Sequence, residues 1–71
     1  MIKAIEMLKE LKTGKVLTLK DFQGKNFQVK YAIDKYDLVQ GLQMFRESKK
    51  ISDVAMKDHE MINYLSQFEK L

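Results

Sequence analysis

Apolar side chains recur at three- and four-residue intervals from Met1 to Leu11, alternate every second residue from Leu17 to Ile33, and return to helical spacing after residue 35. Those rhythms predict a helix, a pair of strands and further helices. In the first segment Met1, Ala4, Ile5, Leu8 and Leu11 make one stripe. Glu6, Glu10, Lys3, Lys9 and Lys12 lie mainly on the other side, which predicts an amphipathic helix over 2–12. Thr13-Gly14 ends it, with Gly14 suited to a left-handed terminal position.

Residues 15–33 predict a hairpin. Leu17 and Leu19 alternate with Thr18 and Lys20; Phe27, Val29, Tyr31 and Ile33 alternate with Gln28, Lys30 and Ala32. The turn decides which sets share a face. Asp21-Phe22-Gln23-Gly24 fits a type I turn followed by a glycine bulge, so Asp21 faces Lys25. That register gathers Leu17, Leu19, Phe27, Val29 and Tyr31 on one apolar face and pushes Phe22 out to the tip. A type II′ turn centred on Gly24-Lys25 would instead pair Phe22 with Phe27 and put Lys20 on the apolar face. The cleaner amphipathic split favours the first.

Over 35–48, Leu38, Gly41, Leu42 and Phe45 form a helical stripe with Val39 at its margin, and Tyr36 and Met44 point away from it. Ser48-Lys49-Lys50 is a break. Over 51–70, Ile51, Val54, Ala55, Met61, Ile62, Leu65 and Phe68 predict a second helix, with Ser52 or Asp53 able to cap its start. Asp58 falls inside that stripe. Either the helix breaks there and Asp58 caps a further helix with Glu60 in its first turn, or the helix is continuous and Asp58 is paired or reaches solvent, or Asp58 is a functional carboxylate in a pocket. The fold class expected is α+β: a single domain over 1–71, in the order α-β-β-α-α, with a two-stranded antiparallel hairpin packed on helices. Two chains can join such sheets edge to edge.

A chain of 71 residues buries only about 60% of its unfolded surface, so self-association or a partner is an expected source of added stability. Cysteine is absent, which excludes disulfides and thiolate metal sites. The charged start, Met1-Ile2-Lys3, and its helical spacing lack the continuous apolar core of a signal peptide, so a cytoplasmic location is expected. No apolar run approaches the roughly 18 residues of a membrane span.

Catalytic chemistry finds little to work with. Ser48, Ser52 and Ser66 have no matching histidine arrangement, because His59 is the sole histidine. Gly14, Gly24 and Gly41 are too dispersed for a phosphate loop. Asp58-His59-Glu60 are consecutive, and on a helix consecutive side chains diverge. No enzyme activity, cofactor, metal or small-molecule substrate is expected. A helix-turn-helix reading of 51–68 is weak, since its would-be recognition helix, residues 59–70, carries Glu60 and Glu69 towards a phosphate backbone with only Lys70 for positive charge.

Two binding readings remain. The first is a small regulatory protein, an inhibitor or adaptor of the kind phages and bacteria use, acting through protein contacts and self-associating as a homodimer. Its candidate contacts are the off-stripe apolar residues Phe22, Tyr36, Met44, Met56 and Tyr64, of types enriched at interfaces. The second is nucleic-acid binding without sequence preference. Net charge is +3, and residues 12–35 hold six Lys against Asp21 and Asp34. Lys15, Lys20, Lys25, Lys30 and Lys35 would meet phosphates while Phe22 stacks on a base. A single Arg argues against base-specific reading. Lysines also keep a strand edge solvated and unpaired.

Overall fold

Alternation governs the chain well beyond the predicted hairpin, and the helices are confined to its flanks. The computed structural model describes residues 2–34 and 36–71. Its elements are α1 (Ile2–Lys12), β1 (Leu17–Lys20), β2 (Asn26–Asp34), β3 (Val39–Arg46), β4 (Lys49–Ala55), α2 (Asp58–Leu65) and β5 (Glu69–Lys70). The strands make one antiparallel sheet in the order β4-β3-β2-β1-β5. The architecture is therefore α-β-β-β-β-α-β, and the expected α-β-β-α-α order with a lone hairpin is wrong.

The first hairpin adopts the register that Asp21 and Gly24 dictate. Leu17 pairs with Val29 and Leu19 with Phe27. Gly24 N–H donates to the Asp21 carbonyl at 3.0 Å with φ +78°, and Asp21 N–H donates to the Lys25 carbonyl at 2.8 Å. The Asp21 side chain accepts from the Gln23 and Lys25 N–H groups, both at 2.9 Å, which fixes the turn twice over. At the end of α1, Gly14 takes φ +98° and donates to the Leu11 carbonyl, as its position after Thr13 requires.

The helices expected over 35–48 and 51–70 are replaced by β3, by β4 and by the shorter α2. In β3 the inward set is Gln40, Leu42, Met44 and Arg46 and the outward set Val39, Gly41, Gln43 and Phe45. Both sets mix apolar with polar, so a period of two is blurred. The turn is equally disguised. Glu47 and Ser48 both take positive φ, 51° and 67°, between the paired Arg46 and Lys49, the geometry of a type I′ hairpin normally written Asn-Gly. Gly41 has its own reason: the β4 backbone passes so close that an added Cβ would meet the Val54 carbonyl oxygen and stand 2.8 Å from Ala55 Cα.

Both helices lie on one face of the sheet. The core joins Ala4, Met7, Leu8 and Leu11 of α1, Leu17, Leu19, Phe27, Val29, Leu42 and Met44 of the sheet, and Met61 and Leu65 of α2. Each fully buried Leu contributes roughly 2 kcal/mol. On α1 the buried face is turned slightly from the predicted stripe: Met7 is inside and Ile5 largely outside. Met1, placed on that stripe, and Lys35 lie outside the described residues. Asp58 opens α2 as its first residue and is exposed, so it neither caps from outside nor interrupts a buried stripe. Glu60 accepts the Lys57 N–H at 2.9 Å and so satisfies an otherwise unpaired helix-start donor.

Candidate functional site

Two helices, one of them only eight residues long, do not reach across five strands. The half of the helix-side face nearest β4 is left open. The uncovered strip is a groove of about 540 Å³, floored by Met44, Ile51, Ser52, Val54 and Met56 and walled by Phe22, Phe27, Tyr64 and Phe68. Its lining is overwhelmingly apolar. Ile51 and Val54 remain 54% and 40% exposed, and Phe22 at the hairpin tip 78%.

The wall is an aromatic cluster centred on Phe68. Its ring lies 5.2 Å from Phe22, 5.1 Å from Phe27 and 5.0 Å from Tyr64, centroid to centroid, with the Phe27 contact edge-to-face. Phe22 is thus exposed yet held: the turn expels it from the sheet and Phe68 catches it. Burial pushes the Tyr64 hydroxyl above its ordinary value of 10.0, so at neutral pH it stays protonated.

One polar pair closes the end of the groove near the two hairpin turns. Arg46 Nη2 donates to Asp21 Oδ2 at 2.7 Å, and Arg46 Nε is buried with no hydrogen-bond partner among the described residues. The Asp21 carboxyl is held below its ordinary range chiefly by the Lys25 and Gln23 backbone N–H groups, with Arg46 adding to them. Asp21 therefore serves three ends at once: it shapes the turn that presents Phe22, anchors β3 through Arg46 and sets the polar limit of the apolar strip.

At the other end of the sheet, the Asp58 carboxylate accepts from Lys12 Nζ at 3.0 Å and from Gln40 Nε2 at 2.8 Å, and Gln40 Oε1 accepts the Tyr31 hydroxyl at 2.8 Å. Lys12, followed by Gln40, draws the Asp58 carboxyl below its usual range. Every charge in this cluster is matched. It behaves as a clasp between the helices and the sheet, and a pocket carboxylate awaiting a substrate is not what the geometry provides. Among the described residues no group of three or more His, Asp or Glu side chains is arranged to hold a metal ion.

Of the five contacts expected for a protein partner, Phe22, Met44, Met56 and Tyr64 meet in the one groove. Met44 requires a correction: read as an outward residue of a helix, it belongs to β3, faces inward and is buried, so it supports the floor without offering a surface. Tyr36 is 98% exposed at the β2–β3 turn, at the opposite end of the sheet. Ile51, Val54 and Phe68 lie on helix stripes in the sequence reading and are not among its candidate contacts. The apolar run Ile51-x-x-Val54-x-Met56 is the signal that marks Ile51 and Val54, and Phe68 has no such signal.

The basic set is dispersed. Lys20 and Lys30 alternate out of β1 and β2 onto the face away from the helices, Lys25 sits in the first turn, and Lys15 follows α1. Lys35 lies outside the described residues. Phe22 leans to the helix side against Phe68, so the ring and the two strand lysines occupy opposite faces. No helix of the described residues is long and apolar enough to cross a membrane. No family model, no curated protein and no solved structure matches this chain.

Proposed function

We propose that this chain is a small non-enzymatic binding protein of the cytoplasm, an adaptor or inhibitor, that engages a protein partner through the open strip between β4 and the Phe22–Phe68 wall. The observation carrying this reading is the groove itself. Phe22, Met56, Tyr64 and Phe68, all of types enriched at interfaces, line one continuous apolar concavity with Ile51 and Val54. A concave strip of this kind, rimmed by a held aromatic and closed by an Arg–Asp pair, suits apolar anchors from a partner chain. The carboxylate at its end is committed to structure, Asp21 to its turn and to Arg46. A cysteine-free chain also suits a reducing compartment.

Affinity capture from the native host tests the reading, with wild type, Phe22→Ala and Val54→Lys as baits. Proteins retained by wild type and lost with both variants support it. Equal capture by all three, with the variants folded by circular dichroism, overturns it. Nucleic-acid binding through Lys20 and Lys30 is the second reading, supported by their common placement on the outer face of the sheet, where Lys30 is the diagonal neighbour of the half-buried Phe45 of β3. Binding of mixed-sequence DNA or RNA at low salt, weakened by Lys20→Ala and Lys30→Ala and by added salt, would establish it.

A further inference from the structure

We propose that the partner seated along β4 is a second copy of this chain, joined edge to edge through a two-fold axis at Val54 into a continuous ten-stranded sheet. This inference rests on the reading of the β4 side as the binding surface, and names its occupant.

The case begins with backbone groups. β4 ends the sheet, so among the described residues one of its edges has no strand beside it. Met56 N–H donates to the Gln40 carbonyl at 3.0 Å. By antiparallel alternation Ser52, Val54 and Met56 turn their amides to β3, while Asp53 and Ala55 turn theirs to the free edge. The other edge of the sheet is much shorter: β5 has two residues.

Only a short window of the β4 edge can pair. Beyond it, Lys57 N–H is taken by Glu60 and the Lys57 carbonyl by Met61 N–H at 2.9 Å, so the chain leaves the strand there. Before it, the ladder shifts between Met44 and Phe45, and Ile51 is the extra residue of a bulge. Asp53 and Ala55 remain. An antiparallel, two-fold pairing that uses both must centre on one of three residues. Centring on Asp53 sets two carboxylates opposite one another. Centring on Ala55 demands the Lys57 amide, which is already committed. Centring on Val54 sets Asp53 opposite the second copy's Ala55 and Ala55 opposite its Asp53, and every free amide of the window is used.

Side chains agree with that register. On the helix side Val54 meets the second copy's Val54, with Ser52 facing its Met56, so the two apolar strips become one trough. On the outer face Asp53 lies one step from the second copy's Lys57. The antiparallel arrangement also runs the start of β4 past the start of the second copy's α2, setting the exposed Lys49 towards the exposed Glu60, while Lys50 keeps Asp53 and Asp58 keeps Lys12 within their own chain. A chain whose strand is basic at one end and followed by acid at the other complements itself when reversed.

The chain contains no cysteine, so a single introduced thiol reports the register. A directly opposed, non-hydrogen-bonded pair has Cα atoms about 4.5 Å apart, within disulfide range, whereas a diagonal pair stands roughly 7–8 Å apart, outside it. Under mild oxidation Val54→Cys is expected to link almost completely, with Asp53→Cys and Ala55→Cys linking at least tenfold more slowly. Light scattering of wild type should give twice the 8.4 kDa chain mass. Ala55→Pro should restore the single mass with an unchanged circular dichroism spectrum, because the proton it removes points to the free edge. A wild type that stays monomeric at millimolar concentration overturns the proposal, as does a dimer in which Ala55→Cys links faster than Val54→Cys. A monomer whose host partner is still lost with Phe22→Ala sinks self-docking and spares the groove reading. A Val54-linked dimer whose Phe22→Ala and Val54→Lys forms capture what wild type captures does the reverse.

Discussion

Lys12 and Asp58, 46 residues apart in sequence, close the last turn of α1 onto the first turn of α2, Nζ to Oδ2 at 3.0 Å. Each charge stands at the helix end its dipole favours, the cation at a C-terminus and the anion at an N-terminus. Gln40 of β3 donates to the same carboxylate, and through Gln40 the Tyr31 hydroxyl of β2 joins in. Four elements thus meet at one exposed carboxylate, whose role is to hold the helix layer in register over the sheet.

This clasp contributes to the acid sensitivity of the fold, together with Glu10 and Asp21. Asp58 is held below its ordinary value of 3.8 by Lys12 and Gln40, and Glu10 below its ordinary value of 4.5 chiefly by the Lys70 ammonium 2.9 Å away. A depressed folded-state value gives a stabilising contribution that is complete above the unfolded value and disappears as pH falls through the folded one. The melting temperature should therefore be flat at neutral pH and drop below about pH 5. Asp58→Asn should lower it at pH 7 and make the acid limb shallower, as followed by thermal melts from pH 7 to 2. An acid limb identical in slope to wild type would remove Asp58 from this role.

The β3–β4 turn is strained by its own residues. Glu47 and Ser48 hold φ values of 51° and 67° that cost an ordinary side chain roughly 1–2 kcal/mol each, offset in part by the extra chain entropy a glycine would bring. Ser48→Gly should stabilise the protein by about 0.5–1 kcal/mol, and Glu47→Asn with Ser48→Gly by somewhat more. Urea denaturation with an unchanged slope would record it. A destabilised Ser48→Gly would mean that Ser48 makes contacts its geometry does not reveal.

That turn also explains what could be read from the sequence and what could not. The Asp21–Lys25 turn carries its chemistry in its letters, Asp first and Gly last, and its register followed from them. Glu47-Ser48 carries none: tertiary pairing between β3 and β4 imposes the positive φ values against local preference. Gly41 sat on a presumed helical stripe, although a mid-helix glycine is itself a warning and a glycine under a crossing backbone is what the sheet needs. The groove residues are legible in part, because interface-type side chains remain interface-type on either element. Their assembly was hidden, since it depends on β4 lying beside β3 and on Phe68 folding back over Phe27.

Gly41 offers a sharp check on that sheet. Any Cβ there strikes the Val54–Ala55 backbone, which is main chain and has no flexible end to yield. Gly41→Ala should cost about 1–3 kcal/mol by forcing β3 and β4 apart. Amide exchange should rise first in Leu42 and Val54, and less in Leu19 and Phe27 on the far side. A neutral Gly41→Ala would contradict the close approach.

Phe68 and Phe22 separate stability from recognition within one aromatic cluster. Phe68 is half-buried and touches three rings, so Phe68→Ala removes the centre of the wall and should cost roughly 2–4 kcal/mol. Phe22 is mostly exposed and touches only Phe68 among the rings, so Phe22→Ala should cost less than about 1 kcal/mol while still stripping the rim of the groove. The double variant should be less destabilised than the sum of the two by about 0.5–1 kcal/mol, because removing Phe68 already forfeits the Phe22 contact. Denaturant midpoints for the four proteins provide the cycle. Strict additivity would mean that the two rings are neighbours without coupling, and that Phe22 is presented by its turn alone.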